Sequence, residues 1–269
     1  MSVTNPAADR WRQQLEAWAI PDEILRGAPE SPYGFSVDTF SRIADEALEQ
    51  RPDAATRRAL EALPAGGDVL DVGCGAGAAS LPLAARAGGL VGVDESADLL
   101  AAFVERADRL GVHHSEVHGR WPDVADRVPA ADVVVTRHVV YNVPDLGDFV
   151  VRLTDHARHR VVVHLHGAHP MTWTAPYWER MHGLERPAGP KVDDAIAVAE
   201  SVGLAVAVEP GEEEFGIGGA TEEEQVAFLR RRLCLGHDRD RELYEAVREL
   251  GVPNPRPVAT LWWPGTAVA

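Results

Sequence analysis

The chain has 269 residues, 45% of them hydrophobic, enough for one large domain or a core domain with additions. No apolar run approaches the roughly 20 residues of a membrane helix, and the polar first ten residues hold no signal core, so neither a membrane partner nor export is expected. A net charge of −16 argues against a nucleic-acid substrate, and two cysteines (Cys74 and Cys234) cannot build a disulfide framework, which points to a reducing cytoplasm.

The first 64 residues read as a helical extension that precedes any strand. Asn5 followed by Pro6 is a helix start, with Trp11, Leu15 and Trp18 at helical spacing on one face. Pro21 opens a short helix carrying Ile24 and Leu25. After the loop at residues 29–35, an apolar stripe of Phe40, Ile43, Ala47 and Leu48 marks a third helix, and Pro52 begins a fourth that runs to Leu63. These helices either pack beside a sheet or form a lid whose aromatic face covers a ligand. From Asp68 onward strands and helices alternate, the signature of a parallel sheet with helices on both faces. The pattern places strands at residues 68–72, 90–93, 113–118, 132–136, 160–166, 205–209 and 258–263. Helices are expected at 78–86, 96–110, 146–156 and 192–202, with a short turn at 123–127. Two more, at 222–235 and 239–250, delay the last strand. Residues 211–219 are the most loop-like stretch, their acidic side chains expected in solvent. Arg230, Arg231 and Arg232, one or two turns after Glu222–Glu224, read as a solvated helix face.

The most informative stretch is Asp68-Val69-Leu70-Asp71-Val72-Gly73-Cys74-Gly75-Ala76-Gly77. It reads as a strand entering a tight glycine turn, where backbone can approach a ligand closely. A helix after the turn would aim its amino-terminal N–H groups at that ligand. The spacing is Gly-x-Gly-x-Gly, not the Gly-x-Gly-x-x-Gly of a dinucleotide loop. About twenty residues on, Val93-Asp94-Glu95 ends the next strand in a carboxylate. At that place in a doubly wound sheet, Asp94 is positioned for the hydroxyls of a ribose, although it would also cap the following helix.

Together, Val69–Gly77 and Val93-Asp94 resemble the class I S-adenosylmethionine-dependent methyltransferase family, over about residues 68–209. The resemblance implies a Rossmann-like fold: a doubly wound α/β, seven-stranded sheet with its last strand antiparallel. The methyltransferase domain would span residues 65–269, with helical insertions at 170–183 and 221–250. The amino-terminal extension and residues 170–183 would form a lid over the carboxyl edge of the sheet. The cofactor is then S-adenosyl-L-methionine. By similarity Asp71, Gly73, Cys74, Gly75 and Gly77 line the methionine portion, Asp94 holds the ribose and Glu95 lies beside the adenine. An acidic loop suits a cationic, phosphate-free nucleoside, whereas Asp71 would repel a pyrophosphate. An NAD(P)-dependent oxidoreductase is therefore the weaker alternative. A protein that binds the nucleoside without transferring from it is the other. Arg120 stands where the family usually has an acidic or amide residue, and Trp121 offers a ring to stack on the adenine.

Thr136, Arg137 and His138 end the fourth strand and resemble the family's fourth motif, at the floor of the cofactor pocket. The implied reaction is direct in-line methyl transfer to an oxygen or nitrogen of a small molecule, which needs alignment and exclusion of water more than a dedicated catalyst. If the acceptor is a hydroxyl, His138 or His166 is the candidate base. The aromatic, histidine-rich segment after the fifth strand supplies the acceptor-binding candidates His169, Trp173 and Trp178, joined by Tyr141 after the fourth strand and Tyr33 from the extension. His164 and His166 share a face of their strand, but no carboxylate or cysteine completes a ligand set at a familiar spacing, so no metal is expected. Assembly as a homodimer is left open.

Overall fold

Local capping sets the helices that open the chain. In the computed structural model, which describes residues 5–267, Asn5 accepts the Ala8 N–H and Pro6 occupies the first turn of α1 (Pro6–Glu16). A short α2 (Asp22–Gly27) follows. Ser36 caps α3 (Val37–Glu49), and Asp53, one residue after the expected proline start, caps α4 (Ala54–Ala62) through the Thr56 N–H at 2.7 Å.

The strands are β1 (Asp68–Val72), β2 (Gly89–Asp94), β3 (His114–His118), β4 (Ala131–Arg137), β5 (Ala157–His166), β6 (Ala207–Glu213) and β7 (Arg256–Pro264). Between and after them lie α5 (Ala97–Leu110), α6 (Leu146–His156), α7 (Ala175–His182), α8 (Val192–Ser201), α9 (Gly216–Gly219), α10 (Glu222–Arg232) and α11 (Asp240–Leu250). All seven strands form one sheet in the order β3-β2-β1-β4-β5-β7-β6. Only β7 runs against its neighbours, as the sequence predicts for the last strand. The order reverses between β1 and β4, so their carboxyl ends flank the crevice where open α/β sheets take ligands.

Successive strand residues point to opposite faces, and the core divides accordingly. Leu70, Val72 and Val134 face one layer, with Phe149 of α6 and Val198 of α8. Val69, Val133 and Val135 face the other, with Phe103 of α5 and Ala59 of α4. A third cluster joins α7, α10 and α11 beyond the sheet. The amino-terminal helices do not act as one layer. Trp11 of α1 is fully buried in the first core and donates its indole N–H to the Val143 carbonyl at 2.8 Å. α3 and α4 instead belong to the opposite face, beside the glycine turn.

Two sequence expectations fail locally. The helix expected at residues 78–86 is a series of turns with one 3-10 turn at Leu81–Leu83. Pro82 has no N–H to return to the Ala78 carbonyl, so a regular helix cannot pass through it. Among the described residues, the glycine turn is therefore not followed directly by a regular helix. β6 begins two residues later than expected and continues to Glu213, through glycine and glutamates read as solvated loop. Pairing with β7 makes it a strand, in a register that sets Glu213 directly opposite Arg256.

Candidate active site

The carboxyl ends of β1, β2 and β4 build the donor side of the crevice. Gly73 has φ +68 and leaves room for Val139, whose methyl would lie 2.5 Å from an added Cβ. Gly75 has φ +53 and carries the Phe40 ring of α3 against it, 3.3 Å from where a Cβ would stand. The turn is tied to β2: Gly73 and Cys74 donate to the Val93 carbonyl at 2.8 and 3.0 Å, and Gly75 donates to the Asp94 carboxylate at 2.8 Å. The other Asp94 oxygen accepts the Ser96 N–H at 2.9 Å. Asp94 thus holds the turn and starts α5 at once, and its remaining lone pairs are free for ligand hydroxyls.

Asp71 lies beneath the turn, fully buried. Ser80 donates to one of its oxygens at 2.6 Å, while the other is buried without a partner. Burial pushes its carboxyl up to about 7, with Asp94 adding repulsion and Ser80 opposing. An unpaired buried carboxylate oxygen fits the ammonium of an amino-acid head. Ligand affinity should accordingly rise as pH passes through the Asp71 ionisation, by about ten-fold between pH 6 and 8 if only the carboxylate binds. Titration calorimetry with S-adenosylhomocysteine across that range should show this step in the parent and not in Asp71→Asn.

The other expected donor-side residues divide. Thr136 is buried, its hydroxyl without a partner, on a small hollow it shares with Ala79 and His164. Cys74 is buried, its thiol pushed well above the usual range by burial, so it contributes backbone rather than reactivity. Glu95 and Arg120 are exposed at the rim. Trp121 does not stand free to stack on an adenine: it is only 5% exposed and packs edge-on against His156 at 4.9 Å.

The side of the crevice where the sequence places the acceptor centres on Glu213, which the sequence pattern assigns to solvent. One of its oxygens accepts from Arg137, and the other lies 3.2 Å from His138 Nε2 and 3.1 Å from His164 Nε2. Arg137 also reaches Asp53 at the start of α4 at 2.5 Å. Burial opposes ionisation of Glu213, but the two imidazole bonds and the Arg137 charge hold its carboxyl far below the ordinary range. His138 has φ +57, a conformation costly for a side-chain-bearing residue and held here by its backbone bond to the His164 carbonyl at 2.8 Å. Burial lowers His138 to about 4, so it is neutral near pH 7. Its Nδ1 is buried with no partner. His164 Nδ1, by contrast, pairs with Thr260 at 3.0 Å. His166 stacks on His138 with ring centres 4.0 Å apart, and burial with its cationic and imidazole neighbours drives its basicity far lower. His138 is the better base of the pair. Among the described residues, His138, His164 and Glu213 are the group whose ligand atoms, within 4.8 Å of one another, could converge on a metal ion.

Three expected acceptor residues are committed elsewhere, and a fourth is exposed. Tyr141 is buried against Trp11 and donates its hydroxyl to the His166 carbonyl at 2.7 Å. His169 stacks on Trp18 with centres 4.1 Å apart. Trp178 belongs to the third core, with Arg186 over its ring. Tyr33 is exposed, in the loop bound to α10 by Arg231 and Arg232. Trp173 does stand near the site. It lines an open groove with Pro176 and Asn254 and faces Arg256, which in turn covers Phe215.

Residues 69–159 match a family model described as a methyltransferase domain. An uncharacterized protein of Haemophilus influenzae is 34% identical over 119 residues, covering 43% of this chain and 44% of that protein. A ubiquinone biosynthesis O-methyltransferase of Azorhizobium caulinodans is 36% identical over 100 residues, 37% of this chain and 38% of its own length. The chain thus spans less than half the length of these curated relatives. Among solved structures, magnesium protoporphyrin IX methyltransferase of Synechocystis, with bound S-adenosylhomocysteine, superposes with a TM-score of 0.51 at 16% identity, covering 97% of this chain and 95% of that one. At that identity the likeness is one of fold.

Proposed function

We propose that this chain is a class I S-adenosylmethionine-dependent methyltransferase that moves the donor's methyl group onto an oxygen or nitrogen of a small molecule by direct in-line attack, a reading supported by the match of residues 69–159 to a methyltransferase-domain model. The observation that carries this reading is His138. Its Nε2 is committed to Glu213, its Nδ1 is buried and unpaired, and the next residue, Val139, packs on Gly73 of the donor turn. A base of fixed tautomer therefore adjoins the turn that would hold the donor.

S-adenosylmethionine would supply a methyl group on a positively charged sulfur. Asp71 would meet its ammonium, Asp94 its ribose hydroxyls, and the Gly73–Gly77 turn its backbone-length edge. For a hydroxyl acceptor, His138 Nδ1 would take the hydroxyl proton as the acceptor oxygen received the methyl group that S-adenosylmethionine supplies, S-adenosylhomocysteine being the leaving group. Glu213 stabilises the imidazolium so formed, and the stacked rings of His138, His166 and Phe215 keep water from the bond being made. The name of the Azorhizobium relative, an O-methyltransferase, favours oxygen. A net charge of −16 favours a small molecule over a nucleic acid.

Calorimetry with S-adenosylmethionine and S-adenosylhomocysteine tests the donor half, and release of S-adenosylhomocysteine over a panel of phenols, amines and acids tests transfer. Binding of neither nucleoside would overturn the whole reading. Binding without turnover on any acceptor would favour a protein that only carries the nucleoside. We read the transfer as independent of metal, because Glu213 already receives Arg137 and two imidazole N–H groups that a cation would displace. Treatment with EDTA should leave turnover within about two-fold of the untreated rate, whereas a structural or catalytic ion would cost far more.

A further inference from the structure

We propose that the methyl acceptor is a small aromatic carboxylate, and that Arg256 holds its carboxylate. This rests on the methyl-transfer reading and adds to it the chemistry of the acceptor. β6 and β7 pair in a register that sets Glu213 directly across from Arg256, an arrangement in which opposite charges ordinarily bond across the strands. Here Glu213 turns both oxygens to Arg137, His138 and His164. Arg256 is left half-buried, with no carboxylate within salt-bridge distance among the described residues. Its polar contact is one long bond to the Pro170 carbonyl at 3.4 Å, and its Nε is buried without a partner. A partly desolvated guanidinium with free donors costs free energy that a bound carboxylate would recover through paired N–H···O bonds.

The surroundings specify the rest of the molecule. The Arg256 guanidinium lies 3.9 Å above the Phe215 ring and 5.7 Å from Trp173, which lines the open groove. Phe215 touches His166 with ring centres 4.6 Å apart, and His166 stacks on His138 at 4.0 Å. The cation and the base thus stand at two ends of one run of flat rings. A flat acceptor lying along that run would place its acid on Arg256, its ring against Phe215 or Trp173, and its nucleophile toward His138.

Binding can be read without any turnover. Benzoate and benzamide, which share a ring and differ in charge, are titrated calorimetrically into the full chain with and without S-adenosylhomocysteine. Benzoate is expected to bind at least about ten-fold tighter, the preference to vanish in Arg256→Gln and to persist in part in Arg256→Lys. Equal affinity for the two ligands, or a preference that survives in Arg256→Gln, would overturn the proposal. Should Arg256→Gln fail to fold, the comparison in the parent and in Arg256→Lys still decides. In turnover, hydroxybenzoic acids should outrun their amides by a similar factor. Turnover of neutral acceptors with no preference for acids would remove Arg256 from acceptor binding and leave methyl transfer standing. A benzoate preference in a protein that binds neither nucleoside would remove methyl transfer and leave the anion site standing.

Discussion

Glutamine in place of Glu213 is expected to lower turnover by about 10²- to 10³-fold while changing donor affinity by less than about three-fold. The carboxylate receives three donors, from Arg137, His138 and His164, and an amide cannot receive them all. Its NH₂ would face an imidazole N–H, and relief of that clash moves the His138 proton to Nδ1, the atom that must be bare to act as base. Glu213 also opposes the effect of burial on His138, so its loss makes an already weak base weaker. The variant will be less stable as well, because Arg137 keeps only Asp53 as an anionic partner, and that effect is separable by pH. The Glu213 carboxyl is depressed in the folded protein, so the stability it adds is present above the ordinary glutamate value of 4.5 and is lost on acidification. The stability gap between parent and variant should therefore shrink as pH falls below that value, as thermal melts would show. A kcat within about three-fold of the parent at pH 7 would exclude Glu213 and His138 from proton removal.

Asp94→Ala is expected to weaken S-adenosylmethionine and S-adenosylhomocysteine alike by about 10²-fold. Two charge-assisted bonds to a ribose, each contributing about 1.5–3 kcal/mol, would account for that loss. The substitution also frees the Gly75 and Ser96 N–H groups that Asp94 now accepts at 2.8 and 2.9 Å, so the turn loses its tie to β2. Asp94→Asn retains one acceptor and should fall between parent and alanine variant. Because both nucleosides share the ribose, their affinities should move together, and kcat at saturating donor should change less than the dissociation constants. Undiminished affinity in Asp94→Ala, measured by calorimetry, would show that the ribose is held elsewhere.

The glycine turn and the carboxylates around it were legible in the sequence because they are local. Asp71, Gly73 and Gly75 sit on one strand and its turn, and Asp94 ends the next strand, which the alternation of apolar runs and glycines already places alongside. The stretch after the turn reads misleadingly as a helix, although Pro82 within it already removes the N–H that a regular helix would need there. The cluster around Glu213 was not legible. Glu213 lies among glutamates and glycine that carry no apolar alternation, and its strand character comes from β7, more than forty residues later in the chain. Its partners Arg137, His138 and His164 come from two other strands, so no spacing in the sequence relates them. Tyr141, His169 and Trp178 looked like site residues by type and position. Each is instead consumed by packing or by a carbonyl, which only the arrangement of α1, α7 and the carboxyl-terminal helices decides.

The place of β6 at the edge of the sheet has a consequence for the order in which the protein matures on the ribosome. β6 has β7 as its sole neighbour, so Glu213 cannot be delivered to Arg137 and the two histidines until β7 has emerged and paired with β5. A nascent chain can complete the donor turn with β1, β2 and β4 long before that moment. On the proposed reading the nucleoside site would then precede the orientation of His138 by Glu213, and loss of a few residues from β7 would leave the glycine turn built and His138 without its Glu213 partner.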